Sequence, residues 1–198
     1  IMMRGIFFLV GCLFLLASCN KANLKYEKPY FDFDSLINAQ STALVSAGTT
    51  LSKSVSLNGT QDLSTVKTDS VVMAHELEVF RQLDVINKPL YRTAYDIVDG
   101  DRDSRSNLLM RTYKAKNPSP VPFITFYYLH DLNHLKKIES VYHENNTLYL
   151  TERTLYLEFD DISGLPSLTR YKVSGKQKMV LSDSVLFSIE GEFLRSNN

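Results

Sequence analysis

The segment Val185-Leu-Phe-Ser-Ile-Glu-Gly-Glu-Phe-Leu194 alternates apolar and polar side chains along its length. Neighbouring residues of a β-strand point to opposite faces of the sheet, so the segment separates into two sets. One set is apolar (Val185, Phe187, Ile189 and Phe193) and the other is polar (Ser188, Glu190 and Glu192). The alternation is typical of an antiparallel strand whose sheet is buried on one face and wet on the other.

Further strand patterns precede this segment along the chain. They are either alternating or continuously apolar, and they cover residues 91–97, 107–115, 121–129, 135–144, 147–159, 168–173 and 177–181. The links between them are short, whereas a parallel return needs a crossover of about a dozen residues or more. The sequence therefore predicts an antiparallel meander of about eight strands.

Two segments nearer the start of the chain have helical spacing. Apolar residues recur at three- and four-residue intervals over residues 31–51, with Asp32 or Asp34 as a capping residue. A second amphipathic pattern covers residues 70–83 and ends before Pro89, because proline disfavours helix in the residue before it. Between the two helices, Asn58-Gly59 predicts a tight hairpin turn.

These patterns together predict the fold class. We expect an α+β protein with a curved antiparallel β-meander of about eight strands, forming a partial barrel, and two amphipathic helices. The helices are expected to cover the apolar face of the sheet, because a one-sided sheet must bury that face against another layer.

The first nineteen residues predict a lipoprotein leader. A basic head containing Arg4 precedes an apolar run over residues 6–16, and Leu-Ala-Ser-Cys19 follows. This run is shorter than the roughly 20 residues that span a bilayer. Leu-Ala-Ser-Cys19 resembles the lipobox of bacterial lipoproteins, which implies acylation of Cys19; the alternative is an ordinary secretory cleavage site. The expected organisation is a signal peptide (1–18), a lipidated cysteine and tether (19–30), and one α+β domain (31–198).

Composition excludes several classes of function for the folded domain. Cys12 and Cys19 are the two cysteines, so the chain beyond them has no thiol for a disulfide, a thiolate zinc site or a nucleophile. The chain has 22 basic and 22 acidic residues, and removal of Arg4 with the leader brings the net charge near −1. We therefore expect no nucleic-acid partner, since the basic patch that binds phosphates is missing. No cofactor is expected, and no glycine-rich phosphate loop is present.

His130 and His134 are the candidate metal ligands, with Asp131 between them. The zinc-protease pattern needs a glutamate after the first histidine, and this chain has Asp131 there. We therefore interpret the segment as a polar hairpin turn and expect no metal site. The run from Asp99 to Asp103 begins like a calcium loop, but Ser104 stands where that loop needs glycine. A solvated turn is the interpretation here too.

Catalytic patterns are weak in this sequence. The Gly-x-Ser-x-Gly motif of serine hydrolases does not occur. Six glutamates offer carboxylates for glycoside cleavage, but their separations decide the mechanism and depend on the fold. They are Glu76, Glu78, Glu139, Glu144, Glu152 and Glu158. We expect no catalytic residue.

Three Asp-Ser-apolar tripeptides resemble the short O-glycosylation signature of exported Bacteroidota proteins. Their acceptor residues are Ser35, Ser70 and Ser184. The alternative is that the first two lie at helix caps and the third in a hairpin turn, because aspartate and serine favour such positions.

Several segments resemble an uncharacterised Bacteroidota lipoprotein family. They are YFDFDSLINAQ (30–40), SVSLNG (54–59), HELEVFRQLDVINKPLY (75–91), TLYLTERTLYLEF (147–159), YKVSGKQKMVL (171–181) and SIEGEF (188–193). The resemblance implies a location in the cell envelope, as an outer-membrane lipoprotein facing the periplasm. It implies no activity or site residue.

Three hypotheses for function follow. The first is non-enzymatic binding of a lipid or another apolar molecule between the sheet and the helices, on a membrane anchored through Cys19. The second is a scaffold or accessory lipoprotein with an envelope protein as its partner. The third is a hydrolase of unrecognised type.

Overall fold

The computed structural model describes residues 26–179 and 183–195. The expected leader and Cys19 lie outside these residues. The described part contains three α-helices and nine strands. In chain order they are α1 (Phe33–Ser46), β1 (Thr50–Leu57), β2 (Thr60–Lys67), α2 (Ser70–Glu76), α3 (Glu78–Arg81), β3 (Tyr95–Arg102), β4 (Leu109–Ala115), β5 (Phe123–Tyr128), β6 (Leu135–Asn145), β7 (Tyr149–Ile162), β8 (Leu165–Met179) and β9 (Val185–Leu194).

All nine strands belong to one antiparallel sheet with the order β2-β1-β9-β8-β7-β6-β5-β4-β3. Strands β3 to β9 form the predicted meander, in which each strand pairs with the next one along the chain. The β1–β2 hairpin then joins the far edge, because β1 pairs with β9. The sheet is open, with β2 and β3 as its edge strands.

The meander has seven strands, β3 to β9, instead of the predicted eight, and the reason is local. The patterns at 168–173 and 177–181 predicted two strands, but β8 continues through both as far as Met179. Gly175 lies at the expected break. A β-carbon there would be 2.0 Å from the carbonyl oxygen of Glu152 on β7, so the glycine permits close approach of the two backbones. Strand β9 has the bounds of the opening segment, Val185–Leu194.

Helix α1 is shorter than its predicted pattern and is capped as expected. The Asp32 side chain accepts a hydrogen bond from the backbone N–H of Ser35, which satisfies one free donor of the first turn. The turn between β1 and β2 also follows the prediction. Asn58 and Gly59 both have positive φ, at 48° and 88°, as a two-residue hairpin turn with the right twist requires.

The second predicted helix is broken into three pieces. It begins at Ser70, capped by Asp69, but Leu77 has φ −97° and ψ 0° and separates α2 from α3. A 3₁₀ helix over Gln82–Asn87 follows. Lys88, just before Pro89, is extended, which ends the helical run where the proline predicts. A further 3₁₀ turn, Pro89–Tyr91, occupies the predicted start of the first meander strand.

The helices pack on one face of the sheet, which we call the covered face. Phe33 of α1 lies against Phe126 of β5, and Phe80 of α3 lies edge-on to Tyr171 of β8. The Gln40 side chain donates a hydrogen bond to the carbonyl of Pro166 and accepts one from the backbone N–H of Leu168, both on β8. No helix in the part of the chain described is both long and apolar enough to cross a membrane.

Candidate functional site on the open face of the sheet

The opposite face of the sheet, which we call the open face, carries polar side chains in two rows that cross the strands. The register aligns Tyr127, Lys137, Glu158, Arg170 and Glu192 in the first row. The second row aligns Thr125, Glu139, Tyr156, Lys172 and Glu190. Each residue comes from a different strand of β5–β9. Directly opposed side chains in a sheet lie about 5 Å apart at Cβ, so the rows form continuous polar ladders.

Opposite charges alternate along these rows and pair. The Arg170 guanidinium lies 3.7 Å from Glu158 and 3.4 Å from Glu192. Lys172 pairs with Glu190 in the next row. These side chains are about half exposed, so water screens their attraction and each pair contributes at most about 1 kcal/mol.

A more buried cluster lies at the β5–β6 end of the rows. The Tyr127 hydroxyl donates a hydrogen bond to Glu139 at 2.8 Å, and Lys137 lies 3.0 Å from the same carboxylate. The Lys137 ammonium also lies 3.8 Å from the centre of the Tyr127 ring, a cation–π contact. The hydroxyl of Tyr127 thus contacts a carboxylate, and the face of its ring contacts an ammonium group.

The loop between β3 and β4 borders this cluster and forms a cleft of about 730 Å³ with it. The loop is held by a hydrogen bond from the Ser106 hydroxyl to Asp103, 2.7 Å long. Its charged side chains Asp103 and Arg105 line the cleft opposite Lys137, Glu139, Tyr156 and Glu158. The cleft therefore presents both signs of charge to one ligand.

Two phenols, Tyr156 in the cleft and Tyr127 in the adjoining cluster, have pKa values above the usual value for tyrosine. Partial burial, together with the nearby Glu158 and Glu139 carboxylates, raises the pKa of Tyr156 to about 12. Burial and the hydrogen bond to Glu139 raise the pKa of Tyr127 as well. Their hydroxyls are hydrogen-bond donors beside carboxylate acceptors and an ammonium group. This set can orient a polar ligand or a peptide through hydrogen bonds.

The structure places His130 and His134 together beside the turn that precedes β6. Their ring centres are 5.4 Å apart, and His134 Nδ1 lies 3.0 Å from the Asp131 carboxylate. Asp131 also caps the 3₁₀ turn Leu132–His134. His143 lies towards the far end of β6 and pairs with Glu152. Within residues 26–179 and 183–195, the histidines do not join a group of three convergent metal ligands.

The calcium-like run has separate partners for its carboxylates. Asp99 pairs with Arg111 and accepts a hydrogen bond from Tyr128, and these contacts lower the pKa of Asp99. Asp103 instead bonds Ser106 in the loop. The interpretation of the whole run as a turn was wrong, because β3 continues through a bulge at Gly100, which has φ 86°, to Arg102, and the turn begins only at Asp103.

The three serines of the Asp-Ser-apolar tripeptides lie at starts of elements. The Ser35 hydroxyl donates to Asp32 at 2.8 Å in the first turn of α1. Ser70 is the first residue of α2, and Ser184 directly precedes β9. Their modification stays a prediction.

A charged cluster that the sequence analysis did not identify lies at the start of α1. Lys28 contacts three carboxylates, at 2.6 Å from Asp32, 2.9 Å from Asp34 and 2.8 Å from Asp84. Partial burial alone raises the pKa of Asp32, but hydrogen bonds from Lys28 and Ser35 outweigh it and lower the pKa to about 2. Asp84 comes from a distant part of the chain, so only the fold could reveal the cluster.

The glutamates considered for glycoside cleavage are divided between the two sides of the sheet. Glu76 lies on the covered side, where Lys53 is 2.6 Å away and the buried Tyr171 hydroxyl donates to it. Glu144 accepts hydrogen bonds from Tyr149 and Arg153. Glu139 and Glu158 are the two that line the same cleft.

Comparisons of the chain with protein-family models, with curated proteins and with solved structures find no match in any of the three.

Proposed function

We propose that the protein is a membrane-anchored lipoprotein of the cell envelope that acts as a scaffold or accessory protein, with the open face of the sheet as its binding face. The observation that carries the proposal is the contrast between a filled covered face and the charged cleft of about 730 Å³ on the open face. The anchor is the acyl group on Cys19, and the location is the periplasmic side of the outer membrane, as for the Bacteroidota lipoproteins that the sequence resembles.

Packing of the covered face favours a surface partner over an enclosed one. Phe33, Phe80 and Phe126 are fully buried between the sheet and the helices, and Tyr171 is 1% exposed. Interiors packed in this way leave little room for a ligand the size of an acyl chain. The apolar-ligand hypothesis stays a prediction, as does the hydrolase hypothesis, for which Glu139 and Glu158 are the carboxylates to test.

The proposal includes curvature of the sheet into a partial barrel around its helices. Register shifts occur at Asp99/Asp101, Tyr127/Tyr128 and Glu158/Phe159. Bulges of this kind bend a strand and increase its twist. They support a curved sheet, whose helices lie on the concave side.

Native mass spectrometry of the full chain, extracted from its own envelope, tests the proposal. We expect an acyl group on Cys19 and a bound protein subunit. Charge reversal at Arg170→Glu should remove that subunit, because it breaks the ladder in the middle of the open face. Arg81→Glu, at the end of α3 in the helix layer on the other side of the sheet, makes the same charge change away from the open face and should retain the subunit.

Two results would contradict the proposal. A subunit that binds both variants equally places the interface elsewhere. If the chain and both variants carry co-purified lipid and no protein subunit, the result supports the apolar-ligand hypothesis instead.

A further inference from the structure

One end of the sheet carries a concentration of exposed apolar side chains. At this end β3, β5, β7 and β9 begin and β4, β6, β8 and β1 end, as the antiparallel register requires. We call it the tether end. Eight of the exposed large hydrophobic side chains of the described residues lie here: Tyr26, Leu57, Leu90, Phe123, Leu148, Leu150, Met179 and Leu186.

Leu90 is the most exposed of these side chains. It is 82% exposed, in the 3₁₀ turn Pro89–Tyr91 that precedes β3. Lys88 and Arg92 flank it and are exposed. An apolar side chain between two cations is the composition that favours the interface of an anionic bilayer, because burial of the leucine adds to attraction by the lipid headgroups.

The described chain begins beside this turn. Tyr26 lines a cavity of about 570 Å³ together with Lys88 and Pro89. Farther along, the Tyr30 hydroxyl donates to the carbonyl of Arg92 at 3.2 Å. Lys28 and its three carboxylates fix the segment between these contacts. The first described residue, Tyr26, therefore lies at the tether end, close to the turn that carries Leu90.

The length of the chain brings the anchor within reach. Six residues lie between Cys19 and Tyr26, and the seven steps from one Cα to the next span at most about 25 Å when the chain is fully extended. An acyl group on Cys19 would thus hold the tether end within that distance of the bilayer.

We propose that Leu90, flanked by Lys88 and Arg92, inserts into the headgroup region of the same membrane that holds Cys19, as a second contact that orients the domain. This inference rests on the anchoring proposed above. The second contact points the tether end at the lipid and leaves the open face of the sheet accessible from the side.

Tryptophan fluorescence tests the inference directly, because the chain has no tryptophan of its own. We would prepare Leu90→Trp and Leu63→Trp variants of the full acylated chain. Leu63 is the matched control, since it is 72% exposed but lies in the middle of edge strand β2. Both would be reconstituted into vesicles of phosphatidylcholine and brominated phosphatidylglycerol in equal amounts.

We expect the Leu90→Trp emission to shift to shorter wavelength and to be quenched several-fold more than that of Leu63→Trp. Adding Lys88→Glu and Arg92→Glu to the Leu90→Trp variant should weaken the quenching, since like charges repel the anionic lipid. If the acylated chain floats with the vesicles and both variants are quenched equally, the second contact is overturned while the anchor stands. A chain that stays in the aqueous fraction overturns both. A blue shift that requires an added envelope protein, with no quenching by lipid, also overturns the contact and assigns the patch to a protein partner.

Discussion

The side chains on the two faces of the sheet make different kinds of contact, even where they come from the same strand. Phe126 and Tyr127 are neighbours on β5 and point to opposite faces. Phe126 packs 4.8 Å from Phe31 and 5.3 Å from Tyr113 between ring centres, in surroundings that exclude water. Tyr127 contacts an ammonium group and a carboxylate instead. Packing of aromatic rings thus holds the covered face, and charged and polar contacts hold the open face, so we expect the covered face to contribute more to stability.

Truncation of the buried ring gives the largest expected effect. Phe126→Ala should lower the free energy of unfolding by about 3–5 kcal/mol, because it removes buried apolar area and leaves a cavity. The matched control is Phe123→Ala on the same strand. Phe123 points to the opposite face and is 37% exposed, so we expect a loss of about 1 kcal/mol. Urea denaturation measures both. Equal losses would mean that the two faces contribute alike.

Loss of the charge pair beneath the helices should come next. Glu76 and Lys53 have side chains 17% and 23% exposed. Glu76→Gln leaves the Lys53 ammonium without its partner in a partly desolvated site. Breaking a fully buried pair costs about 3–5 kcal/mol, and the remaining exposure reduces our expectation to about 2 kcal/mol.

The control for this pair is Glu190→Gln on the open face. Glu190 pairs with Lys172, and both side chains are nearly half exposed. Thermal and urea unfolding of the two variants should differ clearly, with the open-face variant close to wild type. A similar loss in both would show that burial does not set the strength of these pairs.

The fold was predictable where the signal was local. The two-residue alternation predicted β9 with its observed bounds, and Asn58-Gly59 predicted the β1–β2 turn, because both depend on neighbouring residues alone. The union of two predicted strands in β8 was not predictable, since it depends on the approach of another strand to Gly175. The break in the second helix at Leu77 likewise has no proline or glycine to announce it.

The candidate site was less predictable than the fold. Each member of a row, such as Lys137, Glu158 and Arg170, is an ordinary polar residue on an alternating strand. Only the register of two strand pairs, β6–β7 and β7–β8, brings them into line. A one-residue slip in the register of one strand pair would move that strand's row residues to the other face. The composition and spacing within a single strand therefore do not predict the row.

The charged cluster around Lys28 at the start of α1 differs from both faces of the sheet, because its contribution to stability should depend on pH in the acid range. The pKa of Asp32 is lowered from 3.8 to about 2, so the folded state favours the ionised carboxylate. This stabilisation is present above about pH 4 and is lost as the pH falls towards 2. Because the side chain is 41% exposed, we expect about 1 kcal/mol after allowance for solvent screening.

Urea denaturation between pH 6 and about pH 2 tests this contribution. Asp32→Asn should lower stability at the upper end of the range and match wild type at the lower end. Asp160→Asn, which removes an exposed carboxylate of β7, is the matched control for the change of side chain. A constant difference between Asp32→Asn and wild type would assign the effect to helix capping instead of to charge.

The smallest effect on stability is expected in the middle of the open face. Arg170→Met removes the contacts to Glu158 and Glu192 but keeps most of the length of the side chain. Arg170 is 51% exposed, so its pairs are screened, and the free energy of unfolding should change by no more than about 0.5 kcal/mol. Raising the salt concentration should narrow the difference from wild type further. Urea denaturation at low and high salt measures the change. A loss of free energy of unfolding as large as that of Glu76→Gln would contradict the expectation that charge pairs on the open face contribute little to stability. If Arg170→Met is near-neutral for stability and fails to bind the proposed partner subunit, this one side chain matters to binding and not to the fold.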